Sequence, residues 1–259
     1  MWLHTITGAG MSTESGIPDY RSKDVGSFHR IPYKKPMTYQ TFIGSEAARK
    51  RYWARNYVAW PAFSAKLPNR GHLILANWER GKRVHWLVTQ NVDGLHQKAG
   101  SEKLTELHGT SYRVICHSCP RTLHRHELQS IMIDDNEDFH ATAEAVTPDG
   151  DVLLRDEQID RFKTPKCVCG GILRPDVVFF GGNVPIDKVQ FITDRIKECD
   201  ALLVLGSTLS TYSSYRYIET AVTLGKPIAI ISIGPTRGDS YADIKLEARC
   251  SEVLARLDV

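Results

Sequence analysis

No stretch of the sequence is apolar for long enough to cross a membrane, and no block of lysine and arginine stands out to attract nucleic acid. The 33 basic and 30 acidic residues are interleaved, leaving a net charge of only +3. That balance implies a mixed, solvated surface. Internal repeats and low-complexity tracts are missing, which excludes solenoid and fibrous arrays. No signal or transit peptide precedes the first expected strand. Cysteine is sparse: the six residues fall as two close pairs, Cys116/Cys119 and Cys167/Cys169, plus Cys199 and Cys250. That spacing argues against a disulfide framework and for a metal site.

What remains is an ordinary globular composition, 42% hydrophobic and 24% charged over 259 residues. An apolar run at Trp2–Ile6 reads as a buried strand leading into Gly8-Ala9-Gly10-Met11-Ser12-Thr13-Glu14. Gly8 and Gly10 are expected to bring bare backbone N–H groups near a phosphate, with a short helix starting at Ser12–Glu14. The third glycine of the usual dinucleotide fingerprint is absent, so the specific part is the tail Gly16-Ile17-Pro18-Asp19-Tyr20-Arg21, a stiffened loop suited to cover a ligand. One or two helices are expected between Thr41 and Trp60, then a helix capped by Asn69 and closed at Gly81, then a strand at Val84–Val88. Asp187 is read as the cap of a helix carrying Val189, Ile192, Ile196 and Cys199 on one face. Strands follow at Ala201–Leu205 and Ile228–Ile231.

This alternation predicts an α/β fold with a doubly wound parallel, Rossmann-like sheet. Residues 1–110 and 176–259 would form the nucleotide-binding unit, with a helical insertion at 31–70. Residues 111–175, with both cysteine pairs and the turn Pro148-Asp149-Gly150, read as a small module needing a staple. The ligand edge gathers Gly8–Arg21, Gln90–Asp93, Gly206–Thr208 and Ser232–Gly234, four strand ends finishing in small or polar residues. Read as residues alone, Gln90, Asn91 and Asp93 fit either a capped turn or a carboxamide and diol pocket. His108 fits either a satisfied histidine at a strand end or a base.

The stretches GAGMSTESGIPDYRS, Thr89-Gln90-Asn91-Val92-Asp93-Gly94-Leu95-His96 and Leu107-His108-Gly109, in that order, resemble the sirtuins, NAD-dependent protein deacylases. Arg51-Tyr52-Trp53-Ala54-Arg55-Asn56, Pro148–Val152 and Ile233-Gly234-Pro235-Thr236-Arg237 resemble the mitochondrial sirtuin-four branch. The resemblance implies acyl transfer from a protein lysine to NAD, with release of nicotinamide and O-acyl-ADP-ribose. It makes His108 the general base, with Asn91 and Asp93 also catalytic. It puts NAD against Gly8, Ala9, Gly10, Ser12, Thr13, Glu14 and the lid Ile17–Arg21. It adds Gln90, Asn91, Val92 and Asp93 at the nicotinamide end. Gly206, Ser207, Thr208, Ser232, Ile233, Gly234 and Cys250 lie at the adenosine end. It implies a mitochondrial matrix protein, expected as a monomer. Relatives carry a helix ahead of the first strand, so a shortened N-terminus is also expected.

The family's structural zinc would fall on Cys116, Cys119, Cys167 and Cys169. The second pair has one intervening residue where two are usual, so a metal-free module packed without a staple is the other reading. Val178, Phe179 and Gly181 match one clamp for an added substrate strand. Gly182 replaces an acid there, and Tyr212-Ser213-Ser214 replaces the proline-containing second clamp. Ser232 stands where asparagine is usual. Tyr52 and Arg55, three apart on a helix face, match a pair that reads a carboxylate at the end of an acyl chain; otherwise Arg55 is a surface cation. Protein ADP-ribosylation and an NAD-sensing module without turnover are the alternative functions.

Overall fold

The computed structural model describes residues 1–20, 36–141 and 152–257. Among these, six parallel strands run in the order β3-β2-β1-β7-β8-β9. They are β1 Leu3–Thr7, β2 Val84–Thr89, β3 Leu104–Glu106, β7 Ala201–Leu205, β8 Ile228–Ile231 and β9 Ile244–Leu246. The chain reverses its winding between β1 and β7, and such a switch point opens a crevice at the carboxyl edge. The expected doubly wound sheet is therefore present. Its four central strands β2, β1, β7 and β8 are largely buried on both faces, so neighbouring residues serve opposite cores. Leu202 and Val204 pack with Ile192 and Ile196 of α7 (Ile186–Glu198) and Tyr217 and Ile218 of α8 (Tyr212–Thr223). Leu203 and Leu205 pack with Leu75 and Trp78 of α3 (Arg70–Arg80) and Leu254 of α9 (Cys250–Leu257).

Local signals account for most element ends. Asn69 caps α3, accepting from Gly71 N and His72 N, and its Nδ2 reaches 2.8 Å to Met11 O, tying the helix to the glycine loop. The Thr41–Trp60 stretch forms two helices, α1 Tyr39–Gly44 and α2 Glu46–Ser64, because Ser45 ends one and caps the other through Ala48 N. Helix α7 starts one residue before Asp187, with Pro185 at its cap; Asp187 lies in the first turn, where its charge complements the helix dipole. A four-residue helix α4 (Leu95–Lys98) follows β2.

A second, antiparallel sheet has the order β5-β4-β6, with β4 Gly109–Cys116, β5 Thr122–His124 and β6 Leu173–Val177. Helices α5 (Arg125–Asp135) and α6 (Asp156–Arg161) accompany it. This sheet does not rely on a core of its own. Val114, Leu123, Leu128, Met132 and Phe162 share one cluster with Phe42, Trp53 and Ala59 of α1 and α2. Pro61 inside α2 has no N–H to give Tyr57 O, and Gln129 Nε2 of α5 takes that place at 3.1 Å. One turn earlier on α5, Arg125 is 1% exposed. Its Nε donates to Asn56 Oδ1 at 2.8 Å and its guanidinium lies 4.6 Å from the Trp60 ring centre. No carboxylate pairs with it among the described residues, its Nη1 is buried without an acceptor, and burial holds its pKa down to about 9. The turn at Pro148–Asp151 and residues 31–35 of the expected insertion lie outside the described residues.

At one end of the small sheet the four expected cysteines converge, their sulfurs all within 4.8 Å of one another. Cys116 and Cys169 are 3.6 Å apart, Cys119 and Cys167 3.8 Å. A tetrahedron with zinc–sulfur bonds of about 2.3 Å has edges of about 3.8 Å, so the set fits one zinc ion. Gly171 makes the tight second pair workable: a Cβ there would lie 2.9 Å from Cys116 Sγ and 2.7 Å from Ser118 Oγ. His117, His124 and His126 stand outside this cluster. The site is remote from the crevice and closed by four protein ligands, which makes the zinc structural.

Two outcomes follow from this architecture. Metal analysis should return one zinc per chain, and Cys116→Ser or a strong chelator should lower the melting temperature before altering the catalytic rate; folded, active protein with far less than one zinc would contradict it. In the large sheet, a Cβ at Gly10 would lie 2.9 Å from Gly206 Cα and O, backbone atoms that cannot swing aside. Gly10→Ala should cost about 1–3 kcal/mol, read by thermal or urea denaturation.

Candidate active site

The crevice is a cleft of about 1330 Å³ at the carboxyl edge of the large sheet. Residues following β1, β2, β7 and β8 line it, joined by Cys250 at the start of α9. Of the expected cofactor residues that are described, all but Pro18 line the cleft; Arg21 lies outside the described residues. The glycine loop works differently from the expectation. The N–H groups of Gly8 and Gly10 are not bare: they donate to Leu205 O at 3.0 Å and Gly206 O at 2.9 Å. The residues after them form two 3-10 turns, Ala9–Met11 and Thr13–Ser15, rather than the start of an α-helix. Gly206 has φ 60, and a Cβ on it would fall 2.5 Å from Met11 N. Glycine is needed here so that two loop backbones can touch.

Behind the cleft, side-chain amides cross-link the strand ends. Gln90 Nε2 donates to Ser207 Oγ at 2.8 Å and Thr7 O at 3.2 Å. Asn91 Nδ2 donates to Gly8 O and Ser12 Oγ, both at 3.0 Å. Both NH₂ groups are thus committed to protein, and the amide oxygens remain as acceptors. Asp93 is 4% exposed; it accepts from Ser12 Oγ at 2.6 Å and Leu95 N at 3.0 Å. Burial raises its pKa, opposed by those hydrogen bonds and by the Lys98 charge. Glu14 is held to α9 by Ser251 Oγ at 2.6 Å.

His108 lines the cleft, as do Val178, Phe179 and Gly181 of the expected substrate clamp. Its Nδ1 lies 3.0 Å from Gln90 O, an atom that can only accept, so Nδ1 carries the proton and Nε2, 2.9 Å from Ser213 Oγ, is the ring's acceptor nitrogen. Burial lowers its pKa; the Gln90 carbonyl raises it, and the Lys188 charge lowers it further. The first clamp follows β6: Val178 N donates to His108 O at 2.8 Å, and Phe180 bridges Thr38. Phe179 stacks on Phe42 at 4.9 Å and meets Tyr52 edge-on at 5.7 Å, giving the cleft an aromatic wall. Val178, Phe179, Gly181 and Tyr52 all line the cleft, but Arg55 does not. Its Nε is buried and has no hydrogen-bond partner.

The fit to NAD rests on two features. The cleft is lined by small and polar residues at four strand ends, and the amide oxygens of Gln90 and Asn91 are left as acceptors that a carboxamide or ribose hydroxyls can use. Ser111 and Arg216, which lie outside the sequence motifs, also line the cleft, as does Ser213, expected only as a replaced clamp residue. Arg216 falls one turn past the polar run Ser210–Ser213, and that run after a strand end is the signal that marks it.

The Sir2 family model matches residues 8–213. A bovine protein, "NAD-dependent protein lipoamidase sirtuin-4, mitochondrial", is 52% identical over 99% of this chain and 81% of its own length. A Drosophila melanogaster protein, "NAD-dependent protein deacylase Sirt4", is 49% identical over 97% of this chain and 81% of its own length. Among solved structures, a Sir2 protein with a p53 peptide and NAD+ superposes with a TM-score of 0.76 at 27% identity, covering 99% of this chain and 91% of that one. Another, bound to a propionylated peptide, gives a TM-score of 0.74 at 26% identity over 99% and 91%. With the cleft geometry, these matches establish that the chain belongs to the Sir2 family, the NAD-dependent protein deacylases.

Proposed function

We propose that this deacylase binds NAD along the four strand ends and an acyl-lysine strand between Val178–Gly182 and Tyr212–Ser214, with His108 as general base. The observation that carries the reading is His108 itself: one ring nitrogen is fixed by a carbonyl and the other stands at the junction of the cofactor cleft and the clamp. NAD, when bound, supplies the ribose carbon that accepts the acyl oxygen as nicotinamide leaves. Gln90 and Asn91 orient the carboxamide and ribose through their oxygens, and Asp93, Ser12 and Leu95 hold that end rigid. Tyr20 and the lid exclude water. Residues 1–110 and 176–259 carry this chemistry, with 31–70 as an insertion and 111–175 as a zinc-stapled module. The bovine and human relatives are named as mitochondrial, which supports a mitochondrial location, in this reading the matrix. The same reading takes the protein as a monomer.

The aromatic wall of Tyr52 and Phe179 favours a long, largely apolar acyl chain, in keeping with relatives named as lipoamidases. A second reading, an acyl chain ending in a carboxylate, would need Arg55, whose buried Nε lacks an acceptor but which stands outside the cleft lining.

His108→Ala should leave NAD binding roughly intact and reduce the rate of deacylation of an acyl peptide by about 10²–10⁴-fold. Turnover within threefold of the parent would remove His108 from the base role. Because burial disfavours the charged ring, activity should persist below pH 6.5 and fail only as pH drops through the lowered pKa. A panel of lipoyl-, acetyl- and glutaryl-lysine peptides separates the two acyl readings. Arg55→Met should reduce glutaryl turnover far more than lipoyl turnover if Arg55 reads the carboxylate, and should affect them equally if it does not.

A further inference from the structure

Resting on the deacylase reading of the cleft, we infer that Ser213 is a positioning residue for His108, pairing through one oxygen with the imidazole both before and after it takes a proton. Ser213 is the second residue of α8, and its Oγ lies 2.9 Å from His108 Nε2 and 3.2 Å from Thr211 Oγ1. A single hydroxyl proton cannot serve both contacts at once. With Nδ1–H fixed on Gln90 O, the neutral ring offers one lone pair, at Nε2, and the Ser213 hydroxyl donates to it.

The alternative acceptor is already prepared. Ser214 Oγ donates to Thr211 O at 3.1 Å, so the 3.1 Å contact between Thr211 Oγ1 and Ser214 Oγ must use the threonine proton. A lone pair on Thr211 Oγ1 is therefore left facing Ser213. When a substrate hydroxyl comes to Nε2, the Ser213 O–H turns to Thr211 and exchanges one hydrogen bond for another. Once Nε2 has accepted the proton, the new N–H can donate to Ser213 Oγ, whose own hydrogen still points to Thr211. No proton leaves the serine oxygen; the hydroxyl only rotates.

The placement answers a local difficulty. Ser213 sits in the first turn of α8, where the positive end of the helix dipole opposes a charge on His108. Lys188 on α7 adds a like charge. On the Nδ1 side the Gln90 carbonyl offsets part of this, and on the Nε2 side the Ser213 hydroxyl oxygen at 2.9 Å is placed to do the same. Hydrogen bonds to charged groups are stronger than those to neutral ones, so losing Ser213 should disfavour the imidazolium more than the neutral ring.

The test compares the full-length parent with Ser213→Ala and Ser213→Thr. ¹⁵N-histidine NMR of the cofactor-free proteins should show His108 with Nε2 bare in the neutral ring, and its pKa should be lower in Ser213→Ala than in the parent. The alanine variant should keep its melting temperature and its KM for NAD, lose about tenfold or more in kcat, and show the acidic limb of its rate profile at lower pH. Ser213→Thr should restore both the pKa and the rate. A neutral ring with Nε2 protonated in the parent, an unchanged His108 pKa in Ser213→Ala, or a kcat within twofold of the parent would overturn the assignment. If the parent releases no nicotinamide with any acyl peptide, the deacylase reading fails, while the NMR titration still decides the role of Ser213.

Discussion

The close approach of two bare backbones, where β1 and β7 end, is the constraint on which the cleft depends. Gly10 donates to Gly206 O, Gly8 donates to Leu205 O, and a side-chain carbon on any of these glycines would collide with main-chain atoms or with Ser207. Parallel strands diverge after their last hydrogen bond, and here the divergence is pinned before it begins. Everything along the carboxyl edge inherits its spacing from that pin. The Asn91 amide reaches Gly8 O and the Gln90 amide reaches Ser207 only because the two exits are held at van der Waals distance.

A division between scaffold and ligand runs through the polar groups of the cleft. The amide nitrogens of Gln90 and Asn91, both oxygens of Asp93 and the hydroxyl of Ser12 are used within the protein. Such groups lose little further entropy when a ligand arrives, because their rotamers are already fixed. His108 is held in the same way on one side only. On the other side its Nε2 meets Ser213, itself a rotatable hydroxyl, which suits the base role proposed for it.

Much of this was legible in the sequence because the relevant signals are local. Asn69 ahead of an apolar helical period announced the cap of α3, and four strand ends finishing in glycine, serine or short polar residues announced the ligand edge. The use made of Gly8 and Gly10 was not legible, since their partners lie some two hundred residues away and a GxG pattern reads the same whether its N–H groups face a phosphate or a strand. Tyr52 and Arg55 share a helix face by spacing, yet only Tyr52 lines the cleft. Three residues on a helix leave about 60° between side chains, enough to turn one of a pair away. The staple expected for the small module was legible in its cysteines, but the share of its core that comes from Phe42 of α1 and Trp53, Ala54 and Ala59 of α2 was not, because those residues lie some fifty residues or more upstream.

Arg125 gives the docking of that module an uneven energy. Its cation is sandwiched against Trp60 and Trp53 with only Asn56 to receive its hydrogens, and one of its nitrogens meets no acceptor. Parting α5 from α2 would expose those rings to water but would also rehydrate the guanidinium, so the two changes pull in opposite directions. A purely apolar seam would resist any opening in proportion to its area. This seam carries a counterweight, because part of what opening costs in exposed apolar surface is returned as hydration of the guanidinium.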